Sequence, residues 1–181
     1  MRAWDAAFHA HGMPTAQVLL TRDDLRARQR FLNARNTFAE LLQWRVLPIV
    51  NENDTVATAE LKHIENFGDN DTLSAVVARM CDADLLVIFS DIDGLYDSDP
   101  RKNPQAKLIG HVAKIDAKIR RMAGGSAHGK GGMATKITAA ELCMDAGIPM
   151  LVANGDKDDI LYDIVDGRPV GTLFAREEER V

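Results

Sequence analysis

The stretch Gly124–Lys136, GGSAHGKGGMATK, decides between two kinds of phosphate-handling fold. Gly124, four further residues and then Gly129-Lys130 nearly spell a P-loop. The next residue is Gly131, where that motif needs a Ser or Thr for magnesium. A P-loop also follows a strand, whereas the preceding IDAKIRRMAGG reads as a short helix. The P-loop reading is therefore rejected. The start of a helix survives: Gly131-Gly132 lead directly into MATKITAAELC. Free backbone N–H groups and the positive end of the helix dipole can meet a phosphate there. Lys136 lies about one turn into that helix. Most lysines are simply solvated, but this one flanks the apolar stripe Met133, Ile137, Ala140 and Met144 and is within reach of the same anion.

Outward from this loop, apolar strands alternate with helical patterns. Strands are expected at Ala16–Thr21, in VLPIVNEND, in LLVIFS, in KLIGHVA as a short hairpin strand, in IPMLVANG and in GTLF. Helices are expected over Met1–His11, in DDLRARQRFLNARNTFAELLQW, in TLSAVVARMCDA, in IDAKIRRM, in MATKITAAELCMDAG up to Gly147, and weakly over Ile160–Val165. The long second pattern is expected to break near Asn33–Asn36, where Thr37 and Glu40 have capping-box spacing. AELKHIENFGDND reads as a loop or hairpin. Alternation with apolar strands argues for a three-layer α/β/α sandwich around a mainly parallel sheet. There is no internal repeat or clear domain boundary.

Composition narrows the function. The 181 residues suit one domain, and 46% hydrophobic with 27% charged residues is an ordinary globular balance. A net charge of −5 argues against a nucleic-acid partner. Two cysteines in helical patterns suit a reduced, cytoplasmic protein better than a disulfide scaffold. The N-terminus has no apolar signal core, and LLVIF is too short to span a bilayer, so no membrane association is expected.

Ligands of open α/β sheets collect at the carboxyl ends of strands. Three strands here run into polar clusters: Asn51-Glu52-Asn53-Asp54, Ser90-Asp91 with Asp93-Gly94, and Asn154-Gly155-Asp156. Each alone is most simply a turn; three together with a glycine loop favour a site. GDND (Gly68–Asp71) precedes a helix and holds more polar groups than one N-cap needs. A carboxylate there can orient an ammonium group, and an amide can bind a substrate carboxylate.

FLNARNTF, PIVNEND, FGDNDTLSA, SDIDGLYDSDPRKNP, GGMATKITAA and GTLF carry a resemblance over nearly the whole chain. In this order they resemble the amino acid kinase family. NEND with GDNDTLSA is most similar to its glutamate 5-kinase branch, rather than to the carbamate, acetylglutamate, aspartate or uridylate kinases. The resemblance implies phosphorylation of the side-chain carboxylate of L-glutamate by ATP, with Mg2+ held mainly by the nucleotide, as the first step of proline biosynthesis. It implies L-glutamate contacts at Asp54 and Asn70, and nucleotide contacts at Ser90, Asp91, Lys130, Gly131, Gly132, Met133, Ala134, Thr135 and Lys136. It makes Lys136 the stabiliser of the transferred phosphoryl group and Asp71 the organiser of catalytic lysines, with no dedicated protein metal site. It further implies a homo-oligomer, with proline as a candidate feedback inhibitor.

Four departures from the family pattern stand out. The initial strand with its Lys-x-Gly motif and the following SGA segment are not present, so residues 1–181 are expected to be a partial kinase domain, its C-terminal, nucleotide-binding portion. The RNA-modification-type C-terminal domain of many relatives is also not present. KHIEN lengthens the loop before Gly68, and Lys130 stands where a small or hydroxylated residue is usual. The rival readings are the kinase part of a pyrroline-5-carboxylate synthase and a catalytically silent nucleotide-binding module.

Overall fold

A computed structural model describes residues 1–53, 70–124 and 132–176. The elements run α1 (Arg2–His9), β1 (Thr15–Leu20), α2 (Arg22–Arg26), α3 (Arg28–Gln43), β2 (Leu47–Glu52), α4 (Asn70–Met80), β3 (Leu86–Ser90), β4 (His111–Val112), α5 (Ala117–Met122), α6 (Met133–Asp145), β5 (Met150–Asn154), α7 (Ile160–Val165) and β6 (Thr172–Phe174). No described helix is long and apolar enough to cross a membrane.

The strands of the described residues form two sheets, β1-β2 and β3-β5-β6-β4. β1 with β2, β3 with β5, and β4 with β6 are parallel, while β5 and β6 are antiparallel. Around β5 the layering follows the period-two alternation of a strand. Met150 and Val152 point into a core with Ala75 and Ala78 of α4 and Ile137, Ala140 and Cys143 of α6. Leu151 and Ala153 point the other way, onto Ile160 and Ile164 of α7. That is a helix–sheet–helix sandwich, as the strand pattern predicts. The β1-β2 pair is covered by α3 and α4 on one face, where Leu20, Phe38, Leu73 and Met80 are buried. On its other face Leu19 is left 42% exposed, so the expectation of strands covered on both sides fails there.

Two local expectations are corrected. The long helical pattern breaks at Ala27, whose backbone is extended (φ −77°, ψ 114°), and not at Asn33–Asn36. The capping box is Thr21/Asp24: the Asp24 amide donates to Thr21 Oγ1 (3.3 Å), and the Thr21 amide donates to Asp24 Oδ2 (2.8 Å). Further along, Thr37 Oγ1 donates back to the Asn33 carbonyl (3.0 Å) inside α3, and fully buried Phe38 anchors that turn. Burial of one aromatic ring outweighs the weak local preference of Asn and Thr for a cap. The KLIGHVA segment is only partly a hairpin. Tyr96 and Leu108 make an antiparallel bridge, and the chain then delivers His111-Val112 parallel to β6.

The two sheets do not pair with each other among the described residues. β2 has only β1 as a neighbour, and β3 has only β5. Val50 of β2 and Leu86 of β3 both line a mainly apolar cavity of about 400 Å3, shared with Leu73, Val77 and Ala78 of α4. Each of these two strands thus keeps one edge whose N–H and C=O groups have no strand partner among the described residues.

Gly171 opens β6 with φ 66°, and a Cβ there would overlap the carbonyl oxygen of Val152 on β5. Gly12 has nearly the same φ, 70°, but open space around it. The left-handed backbone alone costs a non-glycine residue ~1–3 kcal/mol. Gly12→Ala is therefore expected to lose ~1 kcal/mol and Gly171→Ala ~3 kcal/mol or more, measured as the shift in urea-unfolding free energy. Equal losses would show that the β5–β6 approach is not tight.

Candidate active site

The first turn of α6 is built for a buried cation beside exposed amides. Gly132 caps the helix with φ 78° and ψ −142° and offers no side chain. A positive φ is cheap only for glycine; the cap makes no side-chain hydrogen bond to the first N–H groups of α6, and a helix start of this kind suits an anion. Lys136 follows one turn later, and its Nζ donates to Asp71 Oδ2 at 3.1 Å. The two side chains are only 11% and 18% exposed. Asp71 lies in the first turn of α4, where a carboxylate is favoured by the helix dipole. The two helices approach closely because small residues, Ala75 and Ala78 against Ala139 and Ala140, fill the core beneath them.

Thr135 joins the same carboxylate. Its Oγ1 lies 2.8 Å from Asp71 Oδ2 and 2.8 Å from the Gly132 carbonyl. One hydroxyl proton serves two acceptors, and the charged one makes the stronger bond. Asp71 Oδ2 thus accepts from an ammonium and a hydroxyl, which fixes both side chains next to the start of α6.

A cavity of about 580 Å3 opens beside this pair. Its walls include Ser90 and Asp91 at the end of β3, Tyr96 and Arg101 on the following loop, Met122 of α5, and Gly132, Met133 and Lys136. Asp91 is largely exposed and meets Arg101 only at 3.5 Å, so both charges remain available to a ligand. Beneath the loop, the Asp93 carboxylate gathers Lys157 Nζ (3.0 Å), Asn154 Nδ2 (3.2 Å) and Tyr96 Oη (3.0 Å). The Lys157 ammonium, then the Asn154 amide and the Tyr96 hydroxyl, hold its pKa below the usual carboxylate range. Burial of Cys143 on the inner face of α6 pushes its thiol up to about 11, away from the reactive thiolate.

Of the residues singled out from the sequence, Ser90, Asp91, Gly132, Met133 and Lys136 share the cavity. Asp71 stands directly behind it, bonded to Lys136. Thr135 turns toward Asp71, and Ala134 is not on the cavity wall. Asn70 is the exposed first residue of α4 and borders the apolar β2–β3 cavity instead. Asp54, Lys130 and Gly131 lie outside the described residues. Tyr96, Arg101 and Met122 were missed as wall residues. The DGLYDSDPR run could have suggested the first two, because it follows a strand that already ends in Ser90-Asp91.

A model of the amino acid kinase family matches residues 1–154. The chain belongs to the amino acid kinase family. Similar proteins include the glutamate 5-kinase of Acinetobacter baylyi, 46% identical over 182 residues that cover 100% of this chain and 47% of that protein. The glutamate 5-kinase of Shewanella halifaxensis is 49% identical over 178 residues, covering 97% and 47%. That of Meiothermus ruber is 48% identical over 182 residues, covering 99% and 47%. This amino acid kinase chain thus spans about half the length of the curated relatives it matches. Among solved structures, UMP kinase from Ureaplasma parvum has a TM-score of 0.61 at 19% identity, covering 96% of this chain and 65% of that one. Isopentenyl phosphate kinase from T. acidophilum has a TM-score of 0.58 at 19% identity, covering 93% and 62%. Both share the fold of this amino acid kinase.

The Thr135–Asp71 bond gives a direct test of the geometry. Thr135→Val removes a hydroxyl bonded to a mostly buried carboxylate, a loss of ~1.5–3 kcal/mol. Thr135→Ser should keep most of that stability in urea unfolding. A valine variant as stable as the parent would show that the hydroxyl prefers the Gly132 carbonyl.

Proposed function

We propose that this chain forms the nucleotide-binding part of a kinase that transfers the γ-phosphoryl group of ATP to the side-chain carboxylate of L-glutamate, releasing ADP and L-glutamyl 5-phosphate. The setting would be cytoplasmic, and the product would feed proline synthesis. One observation carries the reading: the Lys136 ammonium is pinned by Asp71 on the wall of a cavity that also holds the first residues of α6. The glutamate 5-kinases from three organisms, 46–49% identical, supply the substrate class.

Phosphoryl transfer asks the protein for position and for charge on the equatorial oxygens, not for a covalent intermediate. The free amides of α6 would hold the phosphates, and Lys136 would meet the charge that develops on the transferred group. Asp71 would keep that ammonium aimed, with Thr135 fixing the carboxylate. Glutamate is already a carboxylate near neutral pH, so the attacking oxygen needs no general base. Ser90 and Asp91 would border the nucleotide. Magnesium would arrive on the phosphates, with Asp91 on the cavity wall as the hard oxygen donor that fits beside it. Asn70 and Asp54 would serve the amino acid.

The unpaired edges of β2 and β3 favour a second element of the proposal. An extended segment, supplied by the half of the relatives' length that this chain does not span, would join the two sheets and complete the glutamate side of the site.

In a complete enzyme carrying this chain, Lys136→Ala should lower kcat ~10²–10³-fold, the cost of removing one preorganised donor of this kind. Near-normal turnover would take Lys136 out of the reaction. Asn70→Ala should raise KM for glutamate far more than KM for ATP, and equal effects would sink that division of the site. A coupled assay of glutamate-dependent ADP release decides the reaction itself. It is run on the chain alone and on a fusion with the segment of the Acinetobacter baylyi relative that precedes the matched region. Turnover only in the fusion is expected; no turnover with glutamate in either would refute the proposed reaction.

A further inference from the structure

The end of α5 and the start of α6 share one wall of the cavity. Met122, Ala123 and Gly124 line it together with Gly132, Met133 and Lys136. Gly124 moves with α5, because the Ala123 amide donates to Ile119 at 3.1 Å and the Gly124 amide to Arg121 at 3.2 Å. Gly132 moves with α6, which it caps. Any shift of α5 against α6 therefore changes the spacing of these two glycines.

α5 has six residues, too few to be stable as an isolated helix. Asp116 caps its start, accepting from the Lys118 and Ile119 amides at 2.8 and 2.9 Å. On its inner side Ile119 and Met122 pack against the main core. Apolar packing is non-directional and does not by itself fix the register of two helices. On its outer side Arg120 makes an ion pair with Glu141, just over two turns into α6. Among the described residues it is the one ion pair between these helices. Glu141 Oε1 is buried without a hydrogen-bond partner, so the Arg120 guanidinium supplies the charge that compensates it. The arginine side chain is 57% exposed and the glutamate 28%. Loss of the arginine strands a buried carboxylate oxygen, whereas loss of the carboxylate charge returns the arginine to water. A polar cavity of about 370 Å3, lined also by Lys114, Asp145 and Arg176, opens beside the pair. Open space, and not packed side chains, flanks it there.

We propose that Arg120 is a positioning residue: through Glu141 it clamps α5 to α6 and so sets the spacing of Gly124 and Gly132 at the phosphate end of the cavity. This rests on the nucleotide reading of the cavity given above. Neither side chain lines that cavity, so the pair acts on a ligand only through the helices.

The experiment is a calorimetric titration of the 181-residue chain with ADP and, separately, with inorganic pyrophosphate, alongside urea unfolding of each variant. Arg120→Ala should weaken both ligands about 2- to 30-fold, the range for residues that modulate a site without touching its ligand. The two factors should be equal, because the clamp acts on the phosphate end. Glu141→Gln should weaken both by a smaller factor. The double variant should be no worse than Arg120→Ala, since both changes break the same pair. Arg120→Lys keeps the charge and should recover most of the affinity. Gly12→Ala, which lowers stability away from the cavity wall, should leave both affinities unchanged. Unaltered binding in Arg120→Ala and Glu141→Gln would overturn the proposal, whatever their unfolding free energies. Loss of ADP without loss of pyrophosphate would overturn it too, as would an equal loss in Gly12→Ala, which marks general destabilisation. Where Arg120→Ala does not fold, Glu141→Gln, which leaves no charge stranded, decides alone. A parent chain that binds neither ligand refutes the nucleotide reading, and the inference falls with it.

Discussion

The bond between Lys136 and Asp71 is the constraint to which the rest of the site is fitted. An ammonium and a carboxylate that are both mostly buried are costly to desolvate, and only close pairing with further hydrogen bonds offsets that cost. The pairing demands that the first turns of two helices, α4 and α6, stand side by side. The alanines between them make the approach, and Thr135 supplies the further hydrogen bond. Once the helices are so placed, the glycine cap of α6 must open next to the end of β3. The cavity therefore results from helix packing more than from any loop of its own.

A second arrangement, the loop after β3, hangs on the sheet in a complementary way. Thr172 is the buried polar side chain that ties it: the hydroxyl accepts from Leu95 and donates to Ile109, at 2.8 and 2.7 Å. Both ends of the irregular segment are thereby bound to β6, the strand that runs antiparallel to β5. The departure from a purely parallel sheet is thus tied to the wall of the cavity. The β2–β3 discontinuity is different in kind, since nothing described among residues 1–176 fills the space bordered by Val50 and Leu86.

Much of the architecture was legible from residue pattern, and for identifiable reasons. Apolar runs such as LLVIF and PMLVA leave few alternatives to buried strands, and Gly147 marks the end of α6 with a positive φ of 74°. The short helix before the glycine loop, one ground for rejecting a P-loop, and the reading of Gly132-Met133 as a helix start both agree with the structure. The break placed at Asn33–Asn36 failed because local capping preference is weak against burial of Phe38. Lys136 and Asp71 were legible as a chemical pair only through the resemblance, because 65 residues separate them and no period links them. Thr135 was assigned to the nucleotide, and its side chain faces Asp71, a direction within one helical turn that the residue pattern does not give. Tyr96 escaped notice, and Asp93 was read only as part of a polar cluster, because its tie to Asn154 depends on the β3–β5 register, which strand propensity does not encode.

The tie between Leu95 and Thr172 spans 77 residues of chain, and this has a consequence for synthesis. A chain made from its N-terminus completes the segment around Leu95 long before Thr172 exists. At ~5–20 residues per second, the wait is roughly 4–15 seconds. During that interval β3 and α4 can form, but the loop over the cavity lacks its anchor. The cavity is therefore a late product of translation, and a chain cut short before residue 172 would have most of its helices and no anchored loop over the cavity.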